Sequence, residues 1–172
     1  HNLMHIEDVL LRIEELEPPA EHELALALAA WFHDAVYQPG KDDNEDRSAY
    51  VAYDALEQIG ASPELIAEVV RLVRLTAHHD PADDDAPGAV LCDADLAILA
   101  AARDRYCEYA VAIRQEYVHV PEVDFRTGRA AVLRRFLERP TIYRTIYGRE
   151  HWEDAARANI AAEIEVLESS GG

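Results

Sequence analysis

The apolar positions of this chain recur every three to four residues, the spacing of one helix face, along nearly its whole length. Leu3, Ile6, Val9, Leu10, Ile13 and Leu16 form the first such stripe, and Pro18-Pro19 ends it, since proline lacks an N–H and its ring clashes with the preceding turn. A second helix is expected from about Glu21 to Tyr37. Beyond Leu24 it is apolar nearly all round, which predicts a central, buried helix, and Pro39-Gly40 closes it. Gln38 to Asn44 reads as an acidic, turn-rich loop. A third helix is expected from Asn44 to Ile59, stopped at Gly60, and a fourth from Ser62 to about His78, with Ser62 as N-cap and Pro63 in the first turn. Ala82 to Gly88 reads as an exposed loop, too acidic to bury. A fifth helix is expected to open near Cys92-Asp93-Ala94-Asp95 and to run through Leu96, Ile98 and Leu99. Further helices are expected at about Arg103 to His119, Asp124 to Leu137, Pro140 to Tyr147 and Glu150 to Leu167.

The pattern therefore predicts an all-α fold of eight to nine helices in a single domain over residues 1–170. Composition agrees: 49% of the 172 residues are apolar and only 7 are Gly, with Ala, Leu, Glu and Arg dominant. The chain opens at His1 in what already reads as mid-helix, so preceding sequence is expected.

Charge narrows the partners. With 34 acidic against 16 basic residues the net charge is −18, which argues against a general attraction to nucleic-acid polymers or anionic membranes. A small phosphorylated substrate stays compatible, because a bound cation can outweigh the surrounding negative field locally. The basic residues are Lys41 and 15 Arg, most of them expected in surface ion pairs. Cys92 and Cys107 lie in apolar helical patterns and read as reduced core residues, consistent with a cytoplasmic protein. No apolar run reaches the length of a membrane span.

Chemistry concentrates where polar groups interrupt apolar runs. In Ala29-Ala30-Trp31-Phe32-His33-Asp34-Ala35-Val36-Tyr37 an imidazole and a carboxylate stand together at the end of a strongly apolar stretch, and burying either without a partner is costly. A metal ion is a partner that suits both. The dipeptide alone is weak, since composition predicts about 0.7 such pairs and a second occurs at His79-Asp80. His1 and His5, at i and i+4, share a face of the first helix, and Asp93-Ala94-Asp95 opens another apolar helix. Three helices thus each present ligand-type residues. Tyr106, Tyr109 and Tyr117, at near-helical spacing, read as core or rim aromatics.

The order His5, His33-Asp34, Asp95 resembles the H…HD…D signature of the HD-domain metal-dependent phosphohydrolases, an all-helical superfamily, and more narrowly a bacterial branch of predicted HD phosphohydrolases. The similar blocks are HNLMHIEDVL (1–10), AAWFHDAVY (29–37), DNEDRSA (43–49), TAHH (76–79), LCDADLAIL (91–99), IRQEY (113–117), GRAAVLRRFL (128–137) and ARANIAAEI (156–164), which together extend over almost the whole chain. The first block is also similar to the HN-x-x-H segment of cyclic nucleotide phosphodiesterases.

This resemblance implies that His5, His33, Asp34 and Asp95 ligate a divalent metal (Mn, Fe, Co, Ni, Zn or Mg), with Asp34 able to bridge a second ion. The metal would polarise a phosphoryl oxygen and acidify a water, giving hydrolysis of a small phosphate ester such as a nucleotide, a monoester rather than a diester. Asp95 is preferred to Asp93, which reads as an N-cap or first-turn acid. His1 is implied as the general acid and Glu45 as the carboxylate beside the metal, while Asn44 reads as a helix cap. His79 is implied in binding substrate or a second metal, whereas His78 reads as a helix C-terminal residue. Arg114 and Arg129 are implied in gripping phosphate, but among 34 acids each reads as readily as an ion-pair residue, and Arg157 and Asn159 share that ambiguity. The competing expectation is a non-catalytic metal- or nucleotide-binding regulatory module on the same scaffold.

Overall fold

The computed structural model describes residues 3–169, among which lie nine α-helices, one short 3-10 helix and no strand. The helices are α1 (Leu3–Glu15), α2 (Ala20–Phe32), α3 (Asn44–Gln58), α4 (Pro63–Leu75), α5 (Ala86–Leu96), α6 (Arg103–Glu116), α7 (Glu122–Glu138), α8 (Ile146–His151) and α9 (Glu153–Ser169), with the 3-10 turn Ala97–Ala100 between α5 and α6. The all-α class expected from the hydrophobic pattern is the class observed. His1 lies outside the described residues. The chain divides into two compact units, one ending at Asp95 and one beginning at Leu96.

In the first unit α4 packs along both α2 and α3, and α1 lies against α2. Val9 and Ile13 from α1, Leu26 and Ala30 from α2, Ala52 and Leu56 from α3, Val69, Leu72 and Val73 from α4, and Leu91 from α5 form one buried core. Each fully buried Val, Leu or Ile contributes about 1.5–3 kcal/mol. Small side chains at Ala25, Ala29, Ala30, Ala49 and Ala52 leave room for side chains of neighbouring helices. The punctuation is physical. Gly60, at φ +73°, ends α3 with its N–H on the Glu57 carbonyl and the next N–H, from Ala61, on Leu56, while Ser62 Oγ accepts the Leu65 N–H to start α4.

Several expectations change. α2 is not buried all round: Leu24 is 60% and Trp31 52% exposed, because its packing partners α1, α3 and α4 leave one face uncovered. It also stops at Phe32, so the His33-Asp34 pair stands in the turn beyond it. The acidic 82–88 segment is not wholly loop, since α5 begins at Ala86, six residues before Cys92. The reason is Asp85, whose Oδ1 accepts the Gly88 N–H at 3.0 Å as a cap while Arg71 grips both carboxylate oxygens at 2.6 and 3.0 Å. Asp93 consequently lies fully buried inside α5 and cannot be its N-cap.

In the second unit α9 packs against α7, α8 and the 3-10 turn. Asn159 donates to the carbonyls of Leu99 and Ala101, and Tyr143 Oη to that of Leu96. Residues 140–145 are not helical. Glu153 accepts the N–H groups of Ile142 and Tyr143, and the Thr145 hydroxyl caps α8 through the Gly148 N–H. Cys92 is buried as expected, but Cys107, on α6, is exposed.

Candidate metal centre

The first unit brings together polar side chains from α1, the turn after α2, and α5. His5 faces inward from α1 one turn before the buried Val9, so the stripe that anchors the helix also aims this imidazole. His33 is the C-cap of α2, its N–H on the Ala29 carbonyl, and its side chain is 2% exposed. Nδ1 of His33 donates to the Ala30 carbonyl at 2.8 Å, which leaves Nε2 directed at the cluster. Asp95 enters from the last turn of α5.

The separations are short and mutually consistent. His5 Nε2 lies 3.1 Å from His33 Nε2 and 3.1 Å from Asp95 Oδ1, while His33 Nε2 lies 3.2 Å from Asp34 Oδ2 and 3.5 Å from Asp95 Oδ1. His5 Nε2 to Asp34 Oδ2 is 3.6 Å. Two ligands each about 2.1 Å from one ion lie roughly 3.0 Å apart at a right angle and roughly 3.4 Å apart at the tetrahedral angle. All five separations fall near that range, and the ligand atoms of His5, His33 and Asp95 lie within 4.8 Å of one another. The donor set of His5, His33 and Asp95, two imidazoles and a carboxylate, therefore fits a divalent first-row metal or Mg, with the Asp34 carboxylate beside it. Exposure is graded from 2% at His33 to 23% at His5, so the cluster is closed at His33 and open on the α1 side.

Electrostatics couples the same groups. Burial alone would depress the pKa of His33, but the charge of Asp95 and hydrogen bonds to Asp34 and Asp95 outweigh it and hold the imidazole well above its ordinary value. For Asp95 burial again opposes the charged form, and His33, with hydrogen bonds from His5 and His79, drives its pKa well below the ordinary carboxylate value. His79 reaches the cluster from beyond α4, its Nε2 2.7 Å from Asp95 Oδ2.

Of two supports of the turn after α2, Ser48 was not singled out in the sequence and Asn44 was given another role. Ser48, fully buried on α3, accepts the Val36 N–H at 3.0 Å and donates to the Val36 carbonyl at 3.2 Å, holding the turn that carries His33-Asp34. Asn44 does not cap α3. Its Oδ1 accepts the Gln38 N–H and its Nδ2 donates to the Gln38 carbonyl, both at 3.0 Å. The signal was present: Asn44, Ser48, Ala52 and Leu56 lie at successive i+4 positions, all buried, so two polar residues occupy a core stripe.

Glu45 is half-buried in the first turn of α3. Arg114 donates to Glu122 and to the carbonyls of Tyr117 and Val120. Arg129 pairs with both oxygens of Glu163, at 2.8 and 3.2 Å, and lies over the Tyr109 ring, with Tyr106 Oη on the same carboxylate. Arg157 donates to Glu153 and to the carbonyls of Leu137, Arg139 and Pro140.

No protein-family model, curated protein or solved structure matches the chain. The functional reading accordingly rests on the geometry of the cluster. No helix among the described residues is long and apolar enough to cross a membrane.

Proposed function

We propose that the chain is a metal-dependent phosphohydrolase that cleaves a small phosphate ester with water, nucleotides being the first substrates to try and monoesters preferred to diesters. One observation carries the reading: the ligand atoms of His5, His33 and Asp95, drawn from three sequence-distant elements, lie within reach of one cation, with Asp34 Oδ2 3.2 Å from His33 Nε2 at the side of the cluster. When bound, a divalent cation supplies Lewis-acid polarisation of a phosphoryl oxygen and acidifies a water. The residues do the rest. His33, locked by the Ala30 carbonyl, presents Nε2 in fixed orientation, and Asp34 and Asp95 supply the negative charge that favours a dication. Substrate approaches from the α1 side, where His5 is the most exposed of the four. Glu45 is the carboxylate assigned to orient water. The net charge of −18 repels phosphate at long range, so in this reading the cation provides the local attraction, and the cellular setting is a cytoplasmic small-molecule reaction without nucleic-acid polymer or membrane.

Elemental analysis of the purified protein, followed by phosphate release from a panel of nucleotides and sugar phosphates with Mn, Fe, Co, Ni, Zn and Mg, tests the proposal. Near-stoichiometric metal and turnover lost in His33→Ala are expected. Full metal content and activity in that variant would refute the assignment, and tight nucleotide binding with no product would replace the enzyme by a regulatory module.

A further inference from the structure

We infer that His79 is a positioning residue, resting on the metal-site reading above: it fixes the Asp95 carboxylate so that one oxygen alone faces the cation. Asp95 divides its oxygens. Oδ1 lies 3.1 Å from His5 Nε2 and 3.5 Å from His33 Nε2, inside the cluster, whereas Oδ2 is the atom that meets His79 Nε2, at 2.7 Å. With Oδ2 held by an N–H donor, the carboxylate cannot rotate to chelate through both oxygens, and coordination is restricted to Oδ1. The same contact keeps the side chain of α5 at a set distance from the two imidazoles.

The backbone supports this assignment. α4 ends at Leu75, and His79 N–H closes onto the Leu75 carbonyl at 3.1 Å with His79 itself at φ +48°, the left-handed region that suits glycine and strains residues with a Cβ. Gly would serve that turn better, so the turn alone does not explain an imidazole there. The direction of the side chain, which the left-handed turn sets, brings Nε2 to Asp95. Residues that hold a ligand by its free atom typically change metal affinity about 10–100-fold when removed.

The full chain, freed of metal by chelation, is titrated with Co(II) and followed by its visible absorption, which reports affinity, stoichiometry and coordination together. His79→Gly relieves the left-handed turn and removes the donor; His79→Gln restores an N–H donor at a similar reach. The inference expects one Co(II) per chain in all three proteins, an affinity about 10–100-fold weaker in His79→Gly although its metal-free form still unfolds in one cooperative transition, and recovery to within a few-fold in His79→Gln. Wild-type affinity in His79→Gly overturns it. So does binding of two Co(II) by the wild type and one by the Gly variant, which would make His79 a ligand. No Co(II) binding by the wild type removes the metal-site reading itself, and is told apart from the first two results by the wild-type titration alone.

Discussion

Ser48 and Val36 share a reciprocal hydrogen bond, the side chain accepting the Val36 N–H at 3.0 Å and donating to the Val36 carbonyl at 3.2 Å. This pair fastens the turn carrying His33 and Asp34 to α3. Ser48→Ala leaves both backbone groups of Val36 without that partner, and an unsatisfied buried polar group costs about 1–3 kcal/mol. Urea denaturation should show a loss of that size. Because the turn is then less constrained, divalent-metal affinity should fall by about tenfold as well. A Ser48→Ala protein as stable and as metal-avid as wild type would separate the turn from the site.

Gly88 sits in the first turn of α5 where a Cβ would come within 2.1 Å of Asp85 Oδ2 and 2.6 Å of Leu75 Cδ2. Gly88→Ala therefore has to displace both the capping carboxylate and a leucine from α4. Overpacking of this kind costs about 1–3 kcal/mol, and the denaturation midpoint should drop accordingly. The helix itself gains from alanine, so a stabilised variant would mean that the Asp85 cap contributes nothing.

Asp85 also sets an acid limit. Burial works against its charge, but Arg71 and the Gly88 N–H outweigh that effect and hold its pKa below the ordinary carboxylate value. Its contribution to stability is present above the unfolded-state value and is lost as pH falls through the lower folded-state value. Denaturation midpoints measured from neutral to acid pH should fall more steeply in wild type than in Asp85→Asn, which keeps a capping oxygen but cannot titrate. Parallel curves would remove Asp85 from the acid transition.

How much of this was legible in the sequence depended on whether the relevant force was local. The helix stops at Pro18-Pro19 and Gly60 and the Ser62 cap act within a turn, and the sequence-based boundaries there are close to those observed. The start of α5 was not legible. Three consecutive aspartates look solvated, and what makes Asp85 a cap is the guanidinium of Arg71, 14 residues earlier in the chain and near only after folding. His5, His33, Asp34 and Asp95 were named from pattern and resemblance, and the fold brings their ligand-type atoms together. The roles of Ser48 and Asn44 required knowing which backbone groups the turn leaves to be satisfied. Asp93 was misread because its position in α5 follows from a boundary misplaced by several residues.

Arg129 separates structure from substrate binding in the second unit. It and Glu163 are each 11% exposed and joined through both carboxylate oxygens. Arg129→Met leaves the Glu163 charge buried beside Tyr106, and breaking a buried pair in this way costs about 3–5 kcal/mol. A loss of that order in thermal or urea unfolding is expected. A variant that unfolds like wild type yet has a raised KM for a phosphate ester would instead assign Arg129 to the substrate.

Cation uptake should release protons. The charge of Asp95 and the hydrogen bonds to Asp34 and Asp95 raise the folded-state pKa of His33 despite its burial, so in the metal-free protein its imidazole stays protonated to a higher pH than an ordinary histidine. The stability this supplies is fully present below the unfolded-state value and is lost as pH rises through the raised folded-state value. A cation needs the His33 Nε2 lone pair, and so must displace that proton. Apparent affinity should weaken by up to about tenfold per pH unit, for each proton displaced, as pH falls below the folded-state value. The thermal stabilisation given by a fixed excess of Mn(II) should widen as pH rises. Titration in weakly buffered solution counts the protons directly. Mn(II) binding with no proton released between about pH 6 and 9 would show that His33 is already neutral before the cation arrives.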